Sequence, residues 1–220
     1  MSLRGRRVLD LGCGVGEYVR AFEARGAEAL GCDIEWPRLV ESRRRGTADV
    51  LAAAGESLPF ADGVLDVIIL NEVIEHVQDD RATMHEVGRV LAPGGTCVIY
   101  APNRLFPFET HGIYLGKRYI FGNIPLVNWL PGPLRNRLVP HARAYKRGEW
   151  PRVFAGCGLE VRAQGYVYPG FDNLEARLGR LGRMIRAFCY WAEGTALERF
   201  GLSHLIVLRK PTAGETARAA

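Results

Sequence analysis

Two spacings of apolar residues alternate along the chain. Val8, Leu9 and Leu11 form a short continuous apolar run closed by Gly12, Gly14 and Gly16. Such a run predicts a buried parallel strand entering a tight loop, with a helix behind it. Tyr18, Val19 and Phe22 follow at helical spacing, and a second strand, Ala27 to Cys32, ends at Asp33. The alternation continues with a helix over Trp36 to Arg45, a weak strand over Ala48 to Ala52 and a β-branched strand over Leu65 to Leu70. A helix from about Asp80 to Leu91 is stopped by Pro93-Gly94-Gly95, and a fifth strand covers Thr96 to Ala101. Strands alternating with helices predict an α/β fold on a parallel sheet.

The texture changes after Pro102. Up to Pro140 the chain is rich in Pro, Gly and aromatic residues, among them Phe106, Phe108, Tyr114, Tyr119, Phe121 and Trp129. A loop of that length inside a compact domain is usually functional. Regular periods then resume with a helix to about Ala155 and a strand over Leu159 to Tyr168. An amphipathic helix over Leu174 to Trp191 carries Leu174, Leu178, Leu181, Ile185, Phe188 and Trp191 on one side, and Ser203 to Leu208 is a closing strand. Residues 211–220 read as a polar, disordered tail.

Composition narrows the class of protein. A chain of 220 residues, 48% apolar, has room for one α/β domain and is short for two. No apolar run is long enough for a transmembrane helix, and the opening residues lead straight into the first strand without a secretory core. Cys13, Cys32, Cys97, Cys157 and Cys189 lie scattered, without a C-x-x-C pair. They are expected to be reduced thiols of a cytoplasmic protein, with neither disulfides nor zinc. The net charge of +5 permits an acidic or membrane-surface partner without requiring one. Arg177, Arg180, Arg183 and Arg186 recur at about one per turn and read first as a solvated face, with an anionic surface as the other reading.

The glycine loop holds the chemistry. Gly12, Gly14 and Gly16 let the backbone adopt unusual dihedrals and let a ligand lie against it, while Asp33, at the tip of the second strand, can accept hydrogen bonds from two ribose hydroxyls. A dinucleotide fingerprint places its third glycine one residue later. Here Glu17 stands at that point, and a glutamate in the first turn of the helix repels a pyrophosphate. A ribose-bearing cofactor without phosphates fits better, and S-adenosylmethionine, cationic at sulfur, is one.

Val8-Leu9-Asp10-Leu11-Gly12-Cys13-Gly14-Val15-Gly16 resembles the first motif of the class I S-adenosylmethionine-dependent methyltransferases. The resemblance covers residues 7–103 strongly and 141–210 more loosely. Gly55-Glu56-Ser57-Leu58-Pro59-Phe60 is similar to the family's loop beside the adenine ring, with Ala54 where the family often has an aspartate. Leu65-Asp66-Val67-Ile68 matches the fourth strand, and Leu91-Ala92-Pro93-Gly94-Gly95 the turn before the fifth. The implied architecture is a Rossmann-like, doubly wound, seven-stranded sheet, mostly parallel with the last strand antiparallel. It forms a single domain over 1–210 with a substrate lid inserted at 104–140. The implied cofactor-binding residues are Asp10, Gly12, Cys13, Gly14, Gly16, Asp33, Ile34, Gly55, Glu56, Ser57, Asn71 and Glu72. Asn71 is not followed by Pro-Pro, the motif of enzymes that methylate exocyclic amines.

Glu72-x-x-Glu75-His76 resembles a stretch of the ubiquinone-pathway O-methyltransferases and of plant small-RNA 2′-O-methyltransferases, where it binds a divalent metal that presents the acceptor hydroxyl. His141 or His111 can complete such a set. Relatives also use the same motif without metal, with the histidine against the cofactor, and that metal-free use is the one expected. His76 and His111 are the catalytic candidates, His111 as a general base. Lys117, Arg118, Arg135 and Arg137 are expected at the rim of the lid, where they can meet an anionic head group or a membrane surface. The expected reaction is methyl transfer to an oxygen of an apolar, lipid-like small molecule, without nucleic acid. An NAD-dependent oxidoreductase and a non-catalytic cofactor-binding module are the rival readings.

Overall fold

The computed structural model describes residues 2–47, 49–170, 175–176, 178–212 and 214–215. The described residues divide into two compact units, one drawn from within 1–100, 148–163 and 206–220, the other from within 101–147 and 164–205.

The first unit is built on the sheet. Its strands are β1 (Arg7–Leu11), β2 (Glu28–Asp33), β3 (Val50–Ala52), β4 (Leu65–Asn71), β5 (Leu91–Pro102), β10 (Glu160–Val167) and β11 (Ser203–Arg209), in the order β3-β2-β1-β4-β5-β11-β10. Pairings from β3 to β5 are parallel, with Asp10 opposite Gly31 and Ile69, and the closing strands run antiparallel. The expected seven-stranded topology is therefore present. Val8, Leu9 and Leu11 are at most 2% exposed, as the unbroken apolar run demanded of a strand covered on both faces. Helices α1 (Glu17–Glu23), α2 (Trp36–Arg44), α3 (Asp80–Val90) and α5 (Trp150–Val153) belong to this unit. Cys13, Val19, Ala29, Leu39 and Val50 pack as one apolar cluster between α1, α2 and the sheet. Asp79 caps α3 by accepting from the backbone N–H of Arg81 and Ala82 at 2.9 and 3.0 Å.

Boundaries shift where local signals were weak. β3 is shorter than expected, Ala48 lying outside the described residues. β5 begins at Leu91, because the Pro-Gly-Gly turn continues as an irregular strand with a register shift opposite Leu65 and Val67. The helix expected up to Ala155 is only the short α5, led by a 3₁₀ turn.

The second unit contains the inserted segment. Strands β6 (Phe108–Glu109) and β9 (Ile124–Pro125) pair antiparallel, as do β7 (Ile113–Leu115) and β8 (Arg118–Ile120). Helix α4 (Gly132–Leu138) follows, and Ile113, Val127, Val139 and Ala142 form a core of their own. Asn103, 1% exposed, ties the start of the segment down by donating to the carbonyls of Arg199 and Gly201, both at 2.7 Å. The buried His204 ring contacts the carbonyl of Tyr145 at 2.9 Å.

Helix α6 (Arg180–Ala192) covers the second part of the expected apolar period; Glu175, Ala176 and Leu178 are helical before it, and Gly179 interrupts the helix with φ +53°. Of the residues assigned to it, Leu174 and Arg177 lie outside the described residues. In the tail, Glu215 accepts from the Thr212 backbone N–H at 2.8 Å and pairs with Arg209, while Ala213 and residues 216–220 lie outside the described residues. Among the described residues no helix is long and apolar enough to cross a membrane.

Candidate active site

Strands β1, β2 and β4 deliver their carboxyl ends side by side, and the sequence-predicted residues of the first unit gather there. Gly12 and Gly14 lie in left-handed backbone, φ +80° and +53°. A side chain at Gly12 would run into Val73, so this glycine lets the β4 loop close over the β1 loop. A side chain at Gly14 would meet nothing nearer than an Arg38 nitrogen at 3.5 Å, so the space above that peptide is open. Gly16 is in addition a packing position: a side chain there would strike Ser42 and Thr47. Cys13 is turned into the core beside Gly31, and its backbone N–H is held by the Cys32 carbonyl at 3.0 Å. Its thiol is pushed up to about 12, first by burial and then by Asp10 and Asp33.

Asp33 organises the loop. One carboxylate oxygen accepts from the Gly14 N–H at 2.8 Å and the other from the Glu35 N–H at 2.8 Å. Each oxygen keeps a second lone-pair direction for a ligand hydroxyl. Asp10 lies behind it, 2% exposed, with Oδ2 lacking a hydrogen-bond partner among the described residues. Burial, then the neighbouring Asp33 charge, raises its carboxyl to about 7. Two close carboxyls in a partly dry setting favour a cationic ligand. Ile34 and Trp36 stand beside them, 70% and 62% exposed.

The third wall comes from two loops. Gly55 is buried against Thr83, and Glu56 accepts from the backbone N–H of Gln78 and Asp79 at 2.7 and 3.1 Å. Glu56 thus fastens the loop after β4, while Ser57 is exposed. Asn71 ends β4 opposite Tyr100, and Glu72 stands at φ +55°, a conformation uncommon outside glycine. Glu75 is buried, and the half-exposed His76 ring lies 3.7 Å from its carboxylate.

His111 belongs to the second unit, where a buried polar network holds it. Glu109, 1% exposed, accepts from the His111 backbone N–H at 2.9 Å and faces its Nδ1 at 3.1 Å. Its other oxygen accepts from Arg135 at 2.7 Å, and Arg135 also donates to the Ala142 carbonyl at 2.5 Å. Burial alone raises the Glu109 carboxyl, but the His111 hydrogen bonds and the Arg135 guanidinium outweigh it and hold the group at about 2. An ionised carboxylate only accepts, so Nδ1 carries the proton and Nε2 is the acceptor nitrogen of the neutral ring. Arg135 was expected at an exposed rim. It is 1% exposed, because the Glu109 charge inside this unit needs a counter-charge. The partners Glu109 and Arg135 were not recognised in the sequence, since they stand 26 residues apart with no motif joining them. His141 contacts the His111 carbonyl at 3.1 Å.

Comparison with known proteins agrees with the geometry of the first unit. Residues 9–99 match the family described as the methyltransferase domain. An uncharacterized methyltransferase of Mycobacterium sp. (strain JLS) is 40% identical over 118 residues, covering 51% of this chain and 46% of the relative. The ubiquinone biosynthesis O-methyltransferase of Psychrobacter arcticus is 35% identical over 112 residues, covering 47% and 44%. The chain therefore matches about half the length of these curated relatives. A solved S-adenosylmethionine-dependent methyltransferase from Mesorhizobium loti shares the fold, with TM-score 0.66 over 95% of this chain and 93% of its own, at 18% identity.

Proposed function

We propose, from the premise that this chain belongs to the class I S-adenosylmethionine-dependent methyltransferases, that it transfers a methyl group to an oxygen of an apolar, lipid-like small molecule. The observation that carries the reading is the pair Asp10 and Asp33 around a glycine loop with open space above Gly14. These residues fit the family's cofactor: two carboxyls suit a cationic, ribose-bearing ligand. Glu17, at the first turn of α1 and tied to Arg20 and Arg45, disfavours a pyrophosphate.

When bound, S-adenosylmethionine supplies an already activated methyl, so the protein's task is to hold and orient. Asp33 accepts the ribose hydroxyls, the Gly14 peptide lies under the ligand, and Ile34 offers an apolar flank. Gly55, Glu56 and Ser57 shape the loop at the base, and Asn71 and Glu72 border the methyl side. Proton removal from the acceptor falls to His111 Nε2, oriented by Glu109, or to His76. The chemistry proceeds without a metal in this reading. Segment 104–140 serves as the cover over the acceptor, and its exposed Phe121 and Leu126 support an apolar one. That the Psychrobacter relative is an O-methyltransferase of ubiquinone biosynthesis supports an oxygen acceptor. A reducing, cytoplasmic setting agrees with the five free cysteines.

The test is incubation of the full chain with methyl-labelled S-adenosylmethionine and a metabolite extract. A labelled, organic-soluble product whose methyl is an ether or ester is expected. Cofactor binding with no labelled product from any extract favours the non-catalytic module, and NAD-dependent turnover favours the oxidoreductase.

A further inference from the structure

The second unit differs from the first in charge and in what it exposes. Residues 101–147 and 164–205 carry 13 Lys and Arg against 5 Asp and Glu, net +8, whereas the rest of the chain carries 16 against 19, net −3. The same unit holds 15 of the 19 exposed large hydrophobic side chains among the described residues.

Helix α6 concentrates both features. Gly182 and Ala192 are buried and Ile185 and Cys189 half-buried, so the helix rests on the side these four residues share. Leu181, Met184, Phe188 and Trp191 recur three, four and three residues apart, a stripe that ordinarily faces a core. Here they are 55%, 68%, 56% and 65% exposed. Arg180 and Arg183, both exposed, flank the stripe on its outer side. The rings of Phe188 and Trp191 lie 5.7 Å apart, a joined aromatic surface at the end of the stripe.

We propose that α6 docks the protein on an anionic lipid bilayer. The helix lies in the plane of the surface, with Leu181, Met184, Phe188 and Trp191 at the boundary of head groups and acyl chains and Arg180 and Arg183 on lipid phosphates. Charge decides between occupants. A second copy would bring one strongly cationic unit against another, whereas an anionic bilayer offers opposite charge and an apolar layer in one partner. The long arginine stems reach past a shallowly inserted apolar face to the phosphates. This surface does not depend on the identity of the methyl acceptor.

The experiment is co-sedimentation of the full chain, without cofactor or acceptor, with vesicles of phosphatidylcholine alone and with about one third phosphatidylglycerol. Binding only to the anionic vesicles, weakened by high salt, is expected. Arg180→Gln with Arg183→Gln should weaken it about fivefold per arginine. Phe188→Ser with Trp191→Ser should weaken it about tenfold or more while charge is unchanged. Both exposed-site variants should keep wild-type S-adenosylmethionine binding, which shows that they fold. Absence of binding, equal binding to neutral vesicles, or wild-type binding by the Phe188/Trp191 variant would overturn the proposal. So would a dimer in sedimentation velocity that the Phe188/Trp191 variant dissolves, since the stripe would then belong to a second copy.

Discussion

At the scale of single residues, Asp10 and Glu109 are buried carboxyls with opposite fates. Asp10 is raised to about 7 by burial and by Asp33, so the folded chain holds its proton to higher pH than the unfolded chain does. Its unfolded value is lower, hence the folded state binds the extra proton between the two values. Stability should fall as pH rises from about 4 to about 7, by at most about 4 kcal/mol. Urea denaturation across that range should show the loss, and Asp10→Asn should flatten it. Glu109 is held at about 2 by the bonds from His111 and Arg135, which outweigh burial, so its contribution is present above its ordinary value and disappears as pH falls from about 4.5 through about 2. Removing its partner leaves a buried charge exposed to no compensation: Arg135→Ala should cost about 3–5 kcal/mol in the same assay. Glu109→Gln gives a sharper test of positioning. It should shift the acid limb of the methyl-transfer pH profile and lower kcat with KM for the cofactor unchanged, which a purely structural partner would not do.

At the scale of elements, the β1 loop is legible because its constraints are local. The apolar run of Val8 to Leu11, the glycines and Asp33 sit within one βαβ unit, and backbone sterics alone place them. Gly12 shows how tight that is: Gly12→Ala must hold φ +80° and displace Val73, and should abolish cofactor binding or soluble expression. The packing contacts of Gly16 and Cys13 were not legible, because motif spacing places both at the loop while only tertiary packing brings them against Ser42, Thr47 and Gly31. The Glu109–Arg135 pair is hidden for the same reason, its members meeting only once β6 and α4 have folded together. Helix α6 shows the opposite failure. Leu181, Phe188 and Trp191 share a face as their spacing implied, while Ile185 is half-buried, Met184 joins the exposed stripe and Gly179 interrupts the helix; period says nothing about whether a face is covered.

At the scale of the whole molecule, the unit built on the mixed sheet carries the glycine loop proposed for the cofactor, while a cationic, apolar-rich unit carries the segment proposed to cover the acceptor. If residues 104–140 act as a cover, limited proteolysis should cut them in the free protein and spare them with cofactor and acceptor present. Equal resistance in both conditions would make them fixed structure. Chelation should leave methyl transfer intact, and loss of activity restored by Mg²⁺ would return Glu72, Glu75 and His76 to the role of ligands. Cofactor choice is the decisive binding event, and calorimetric titration of the full chain measures it directly. S-adenosylmethionine should bind and NAD should not, and Asp33→Ala should lose at least about tenfold in affinity, as two hydrogen bonds to a charged acceptor require. NAD binding without S-adenosylmethionine binding, or an Asp33→Ala variant as tight as the parent, would contradict it.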